Sequence, residues 1–403
     1  MAILKRVSVF LAALIVAAGI GWILIGPDWR ALLAHQPYGR DILFWNQAQR
    51  DAGFRMIDRI PFVIESHTIE AGGDVRELPE GEPLDTGIDL DAYLAANRTA
   101  GIVILQDGKV RLERYEMGFR PDGRWTSFSV AKSLTSTLVG GAVRDGAIKS
   151  LDDPVSDYID ELKGSAYDGV TVEQVLTMTS GIDWNEDYSD PASDVAQFDL
   201  QEAAPGKSAL ATYMAGLGRA HPAGEVWNYS TGETNLIGVL VSRSTGRELA
   251  GYLSEKIWTP YGMERDATWL LGHDGHEISG CCIQASVRDF ARFGQFMLEG
   301  GSDVLPEGWI AAATVKQADI GSPGEGYGYQ WWTWDDGSYQ ADGIFGQGIF
   351  IDPNRNLVIA SNASWTSALG DTGGEWEARK GFYKAIQHAI DMELATPQGD
   401  AAP

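Results

Sequence analysis

Three stretches of this chain carry residue types that could perform acyl transfer. The first is Ser129-Val130-Ala131-Lys132. On a helix, positions three apart share a face, so the serine hydroxyl and the lysine amine would enter the same space. A serine hydroxyl is a weak nucleophile until a base stands beside it, and lysine can be that base only when burial or a neighbouring cation lowers its pKa. A helix N-terminus would add free backbone N–H groups for developing negative charge. Taken alone the motif is weak. Ser129 could be a plain N-cap and Lys132 a solvated first-turn residue, although a cation is electrostatically disfavoured there. The second stretch, residues 222–232, holds Tyr229 at the entry to a helical pattern. Such a tyrosine could pass protons to a leaving group if Lys⁺ lowered its pKa; otherwise it is an ordinary packed aromatic. The third, residues 342–348, is glycine-rich and enters a strand. Gly343 would let a ligand approach the backbone, and an N–H here could complete an oxyanion hole; the alternative is a glycine-rich hairpin edge.

The elements around these stretches are legible. Residues 102–105 and 110–115 flank Asp107-Gly108, a β-hairpin signal. From Val130 the apolar positions Val130, Leu134, Leu138 and Ala142 fall four apart on one helical face, and Gly146 suits a C-terminal cap. Helical patterns cover 171–178, opened by Thr171 with Gln174 three residues on, then 233–244, 286–298 and 376–392. Residues 328–334, 348–352 and 357–360 read as strands. Strands early and late, with helices between, imply an α+β fold. One antiparallel sheet is built from both ends of the chain, flanked by helices, with a mostly helical lobe inserted at about 147–270. The main domain is expected over 96–395, a linker and peripheral segment over 27–95, and a tail over 396–403.

Size and composition narrow the function. The chain has 403 residues and a net charge of −25. That acidity disfavours nucleic acid, which needs clustered cations, and fits a small-molecule substrate. Residues 7–25 are apolar apart from Ser8, Gly19 and Gly21, and Lys5 and Arg6 precede them. This predicts a transmembrane signal anchor or a signal peptide over 1–26, with the body exported to the periplasm or cell exterior, or secreted if the segment is cleaved. The two cysteines, Cys281 and Cys282, are adjacent. Neighbouring cysteines rarely bridge, so no ordinary disulfide is expected. His273 and His276 lack a third ligand cluster and predict no metal. Gly-x-Ser-x-Gly, Walker and dinucleotide glycine patterns do not occur.

The three stretches stand in the order Ser-x-x-Lys, Tyr-x-Asn or equivalent, then a Lys-Thr-Gly-like strand. With residues 175–181 and 285–294, they resemble the serine β-lactamases, penicillin-binding proteins and their esterase relatives. Residues 181–188 and 345–353 are most similar to the class C β-lactamase-like branch, which holds 6-aminohexanoate-dimer hydrolase and related esterases. The resemblance implies a β-lactamase/transpeptidase-like fold and no cofactor. It implies Ser129 as nucleophile, Lys132 as base and Tyr229 as proton relay. It also implies Ile344 and Ser129 as oxyanion N–H donors, and Tyr188 as a substrate-facing residue on a mobile loop. Two positions depart from the pattern: Thr231 stands for Asn, and Ala341-Asp342-Gly343 lacks the family's cation. A linear amide or ester is therefore expected over a β-lactam. A D-alanyl carboxypeptidase or β-lactamase, and a non-catalytic ligand-binding sensor, are the alternatives.

Overall fold

A computed structural model describes residues 2–35, 42–60, 65–201 and 206–395; the tail 396–403 lies outside them. Numbering elements along the chain, a seven-stranded sheet runs β3 (Lys109–Tyr115), β2 (Thr99–Gln106), β11 (Leu357–Ala363), β10 (Gln347–Asp352), β9 (Tyr339–Gly343), β8 (Trp332–Trp334), β7 (Glu325–Tyr327). Every neighbouring pair in it is antiparallel. Both ends of the chain therefore build one sheet. Asp107 (φ 51°) and Gly108 (φ 71°) make the β2–β3 turn with the paired positive angles that match strand twist. A second sheet runs β1 (Ser66–Ile69), β5 (Ala267–Leu270), β6 (Ile283–Ala285), β4 (Trp125–Thr126).

Helices cover both faces of the large sheet. On one side lie α4 (Leu90–Ala96) and α13 (Glu375–Ala395), where Leu94, Phe382 and Ile386 bury against Ile102, Ile104 and Ile359. On the other lie α5 (Val130–Arg144) and α11 (Val287–Leu298). Gly294 of α11 meets Val358 and Ile349 so closely that a Cβ there would lie 2.5 Å from Val358. The inserted lobe holds α6 (Val172–Leu176), α7 (Asp194–Gln197), α8 (Ala209–Ala215), α9 (Thr231–Thr245) and α10 (Leu249–Leu253); α12 (Trp309–Ala313) follows α11. Thr171 and Gln174 form the reciprocal capping box at the start of α6.

At the N-terminus, α1 (Ala2–Leu24) exposes its apolar side chains from Val7 on and is long enough to cross a membrane. The next helix, α2 (Gly26–Ala34), docks on the body through buried Leu32 and through Asp28, which pairs with Arg55 and Arg120. The short α3 (Gln47–Gly53) and Phe54 continue into the core, where Phe54 touches Trp125, Phe128 and Phe345.

One expected strand is broken. Residues 328–334 do not run as a single strand: Gly328 N–H bonds Trp331 O across a turn, with Gln330 at φ 63°. Helices α5 and α9 claim this backbone. Ser133 and Ser136 of α5 donate to the carbonyls of Gln330 and Tyr329, and the Gln330 side chain reaches Thr234. Those bonds outweigh the local β propensity of the aromatic run.

Candidate active site

Ser129 occupies the N-cap of α5, yet its hydroxyl makes no cap bond and its backbone is already helical (φ −68°, ψ −4°). The preceding residues fix this geometry. Ser127 exchanges bonds with Ile283 in both directions, at 2.8 and 3.0 Å. Phe128 adopts φ 43° and wedges its ring against Phe54 and Phe345. A strand, a strained turn and a helix thus present Ser129 at the floor of a cleft, 7 % exposed.

One helical turn on, the Lys132 amine lies 3.0 Å from Ser129 Oγ, 2.9 Å from Thr231 Oγ1 and 2.8 Å from Gly280 O. Lys132 is 1 % exposed. Burial pulls its pKa down to about 8, against the opposing pull of Glu186. Its ammonium stands 5.1 Å from the centre of the Tyr229 ring, and Tyr229 lines the same cleft as Ser129. The tyrosine pKa does not fall as the cation argument expects. Burial first, then the carboxylate of Glu186, hold it well above its ordinary value, so Tyr229 stays a protonated donor.

The opposite wall is β9 and the turn after it. Gly343 lies so close to the nucleophile that a Cβ there would stand 2.5 Å from Ser127 O and 3.2 Å from Ser129 N. Ile344 follows and lines the cleft beside Ser129. The turn is held from several directions. Gln347 Nε2 donates to Ile344 O and Ala363 O, Phe345 N–H bonds Ala368 O, and the Arg50 guanidinium stacks 4.8 Å over Phe345. Asp342 pairs with Arg379 of α13, itself sandwiched between Trp365 and Trp376 at 4.5 and 4.9 Å. The strand has alanine at position 341, and Arg379 of α13 is committed to Asp342. Burial raises the Asp342 pKa and Arg379 opposes that rise.

The cleft is large, about 1090 Å³, and its walls are aromatic, with Trp332, Trp334, Trp365, Trp376, Tyr188 and Phe44. Tyr188 donates to Glu186 Oε1 at 2.9 Å. A side pocket of about 130 Å³ joins at Ser129 and is lined by Cys281 and Cys282. These two cysteines are bridged, which corrects the sequence expectation. Cys282 adopts φ 77°, and that left-handed backbone allows adjacent side chains to meet. His273 and His276 line a separate cavity of about 20 Å³ and do not join the site. His67, Glu248 and Glu277 bring three potential metal-ligand atoms within 4.8 Å, but Glu277 is committed to His67 and to the Ala250 N–H.

The structure brings together Ser129, Lys132, Tyr229, Gly343, Ile344 and Tyr188. Sequence reasoning missed Glu186, Gly280, Arg50 and Arg379. Glu186 stood between Trp184 and Tyr188, but nothing in its local pattern tied it to Lys132.

The description Beta-lactamase matches residues 90–380. The chain belongs to the Beta-lactamase family. Within it, the chain is 32 % identical to the 6-aminohexanoate-dimer hydrolase of Paenarthrobacter ureafaciens over 326 residues, covering 75 % of this chain and 81 % of that one. It is 25 % identical to esterase EstB of Burkholderia gladioli, covering 62 % and 80 %. Among solved structures, "Putative 6-aminohexanoate-dimer hydrolase from Bacillus anthracis" superposes with a TM-score of 0.74 at 22 % identity, over 87 % of this chain and 96 % of that one. A penicillin-binding protein homologue from Caulobacter crescentus gives 0.58 at 20 %, over 75 % and 99 %. This Beta-lactamase family member thus shares its architecture with relatives of differing names.

Proposed function

We propose that this protein is a serine hydrolase that cleaves small amides or esters through an acyl-enzyme on Ser129. The observation that carries the reading is a buried lysine with a depressed pKa, 3.0 Å from a serine hydroxyl that is free of capping duty. Ser129 Oγ attacks the carbonyl carbon while its proton passes to Lys132. The oxyanion is held by the N–H groups of Ser129 and Ile344. When the tetrahedral species collapses, the bond to the leaving nitrogen or oxygen breaks and that atom takes the proton from Lys132 by way of Tyr229. Water then attacks the acyl carbon, its proton passes to Lys132, and Ser129 leaves with a proton restored.

Substrate choice follows from the cleft. Its volume and aromatic walls suit a linear chain carrying the scissile bond. The names of the similar hydrolase and esterase favour an amide or ester substrate of the 6-aminohexanoate-dimer or simple ester kind. Ala341 offers no cation to hold a substrate carboxylate and Arg379 is committed to Asp342, which counts against a D-alanyl carboxypeptidase or β-lactamase. In this reading α1 anchors the protein in a membrane, or is removed as a signal peptide, and the body is exported. Exposure of the full chain to a fluorophosphonate, followed by intact mass, tests the site. A single adduct on Ser129, absent from Ser129→Ala, is expected; folded protein with no adduct would sink the enzyme reading.

A further inference from the structure

The Glu186 carboxylate is surrounded by donors. Oε2 accepts from Thr231 N–H at 2.9 Å and from the Trp184 indole N–H. Oε1 accepts from the Thr231 hydroxyl and from the Tyr188 hydroxyl at 2.9 Å. The Thr231 hydroxyl donates to Glu186 Oε1, so its proton points at Glu186. Towards Lys132, Thr231 Oγ1 then offers only a lone pair, and Gly280 O can offer nothing else. A neutral amine has two N–H bonds and one lone pair. With both protons drawn to Thr231 and Gly280, the lone pair is left facing Ser129 Oγ.

We propose that Glu186 is a positioning residue which, by holding the Thr231 proton, fixes the direction of the hydrogen-bond chain and turns the lone pair of neutral Lys132 onto Ser129. This rests on the serine-hydrolase reading of the site and deepens it. With the Lys132 lone pair facing Ser129 Oγ, the serine proton has one destination. As the Oγ–carbon bond forms, the Ser129 O–H bond breaks and its proton becomes the third on Lys132.

Glutamine at 186 tests the direction itself. The backbone N–H of Thr231 and the Trp184 indole can only donate, so they take the amide oxygen. The amide NH₂ is then left against the Thr231 and Tyr188 hydroxyls. Thr231 must accept from it and turn its own proton onto Lys132, occupying the lone pair meant for Ser129. Removing the carboxylate also withdraws a charge that raises the Lys132 pKa. The other titratable groups around this cluster are Tyr188, Tyr229, Tyr327 and Asp342, and the substitution leaves them in place.

The readout is the rate of fluorophosphonate labelling against pH, on the full chain, with thermal midpoints recorded beside it. Glu186→Gln should label about tenfold or more slowly on the alkaline plateau, with its acid limb moved to lower pH. Thr231→Ser, which keeps a hydroxyl against Lys132 and Glu186, should label faster than Thr231→Val. Thr231→Val leaves no hydroxyl to misdirect, so adding Glu186→Gln to it should cost nothing further on the plateau. A wild-type plateau and an unmoved acid limb in Glu186→Gln would overturn the proposal, as would losses that multiply in the double variant. If Glu186→Gln does not fold, Thr231→Val decides alone: a slowed plateau supports the proposal and a wild-type rate overturns it. Labelling that persists in Ser129→Ala would instead remove the serine-hydrolase reading beneath it.

Discussion

The two walls of the cleft meet at Ser129 but are assembled in different ways. The helical wall takes Ser129 and Lys132 from one turn of α5, and Tyr229 and Thr231 from the entry to α9. Its decisive contacts are short in sequence or lie at a helix start. The sheet wall is stitched from distant places. Arg50 bonds the carbonyls of Trp365 and Thr366, more than 300 residues away, while its guanidinium stacks on Phe345. Arg379 of α13 reaches back to Asp342 of β9. Chemistry is concentrated in the first wall and geometry is enforced by the second, so each should fail in its own manner.

The largest effect is expected in the helical wall. Lys132→Ala should lower kcat/KM by about 10²–10⁴-fold with the fold intact, since it removes the general base. In the wild type the rate should rise with pH through about 8, because only the neutral amine can accept the serine proton. A flat profile would move the base elsewhere. Gly343→Val tests whether the sheet wall matters to the chemistry. Its side chain must displace Ser127 O, shifting the Ile344 N–H from the oxyanion, and about a 10²–10³-fold loss in kcat is expected. A variant with unchanged kcat would show that the wall is not aligned with the nucleophile.

Arg379→Met should act on stability instead. It leaves the half-buried Asp342 carboxylate without its partner, at a cost of about 1–3 kcal/mol read by denaturant unfolding. Asp342→Asn in the same background should recover part of that. The smallest effect lies behind the helical wall, at Glu233 of α9. Burial raises its pKa to about 8, against the bonds from Ser180 and Tyr167. The folded state therefore prefers the protonated form. Its stability is whole below the unfolded carboxyl pKa of about 4.5 and falls as pH climbs to about 8. Glu233→Gln should remove that loss. Its Tm advantage should widen across this window to a few degrees and then stay constant; an equal Tm difference at pH 4 and pH 8 would contradict the assignment.

The same contrast explains what the sequence disclosed. The Ser129–Lys132 pair, the α5 helix, the β2–β3 hairpin and the Thr171 cap follow from spacings of one to four residues. So do the short apolar runs that make β10 and β11 strands. Glu186, Arg50 and Arg379 were invisible because their partners come together only when the chain has folded. The aromatic run 328–334 misled for a related reason: its backbone is claimed by serines of α5 that no local pattern connects to it. The bridged Cys281–Cys282 pair depended on one left-handed residue, a backbone choice that a side-chain list does not record.

The α5 helix carries a further consequence. Ser133, Thr135 and Ser136 each donate to a backbone carbonyl of another segment, those of Gln330, Ser279 and Tyr329, at 2.6–2.8 Å. A helix packed by aliphatic side chains alone can roll or slide a little at small cost, because dispersion has no direction. This one behaves as a keyed shaft. Three directional bonds on different sides fix its rotation and its depth together, so the clock angle at which Ser129 meets a substrate is set by the neighbours of the turns behind it.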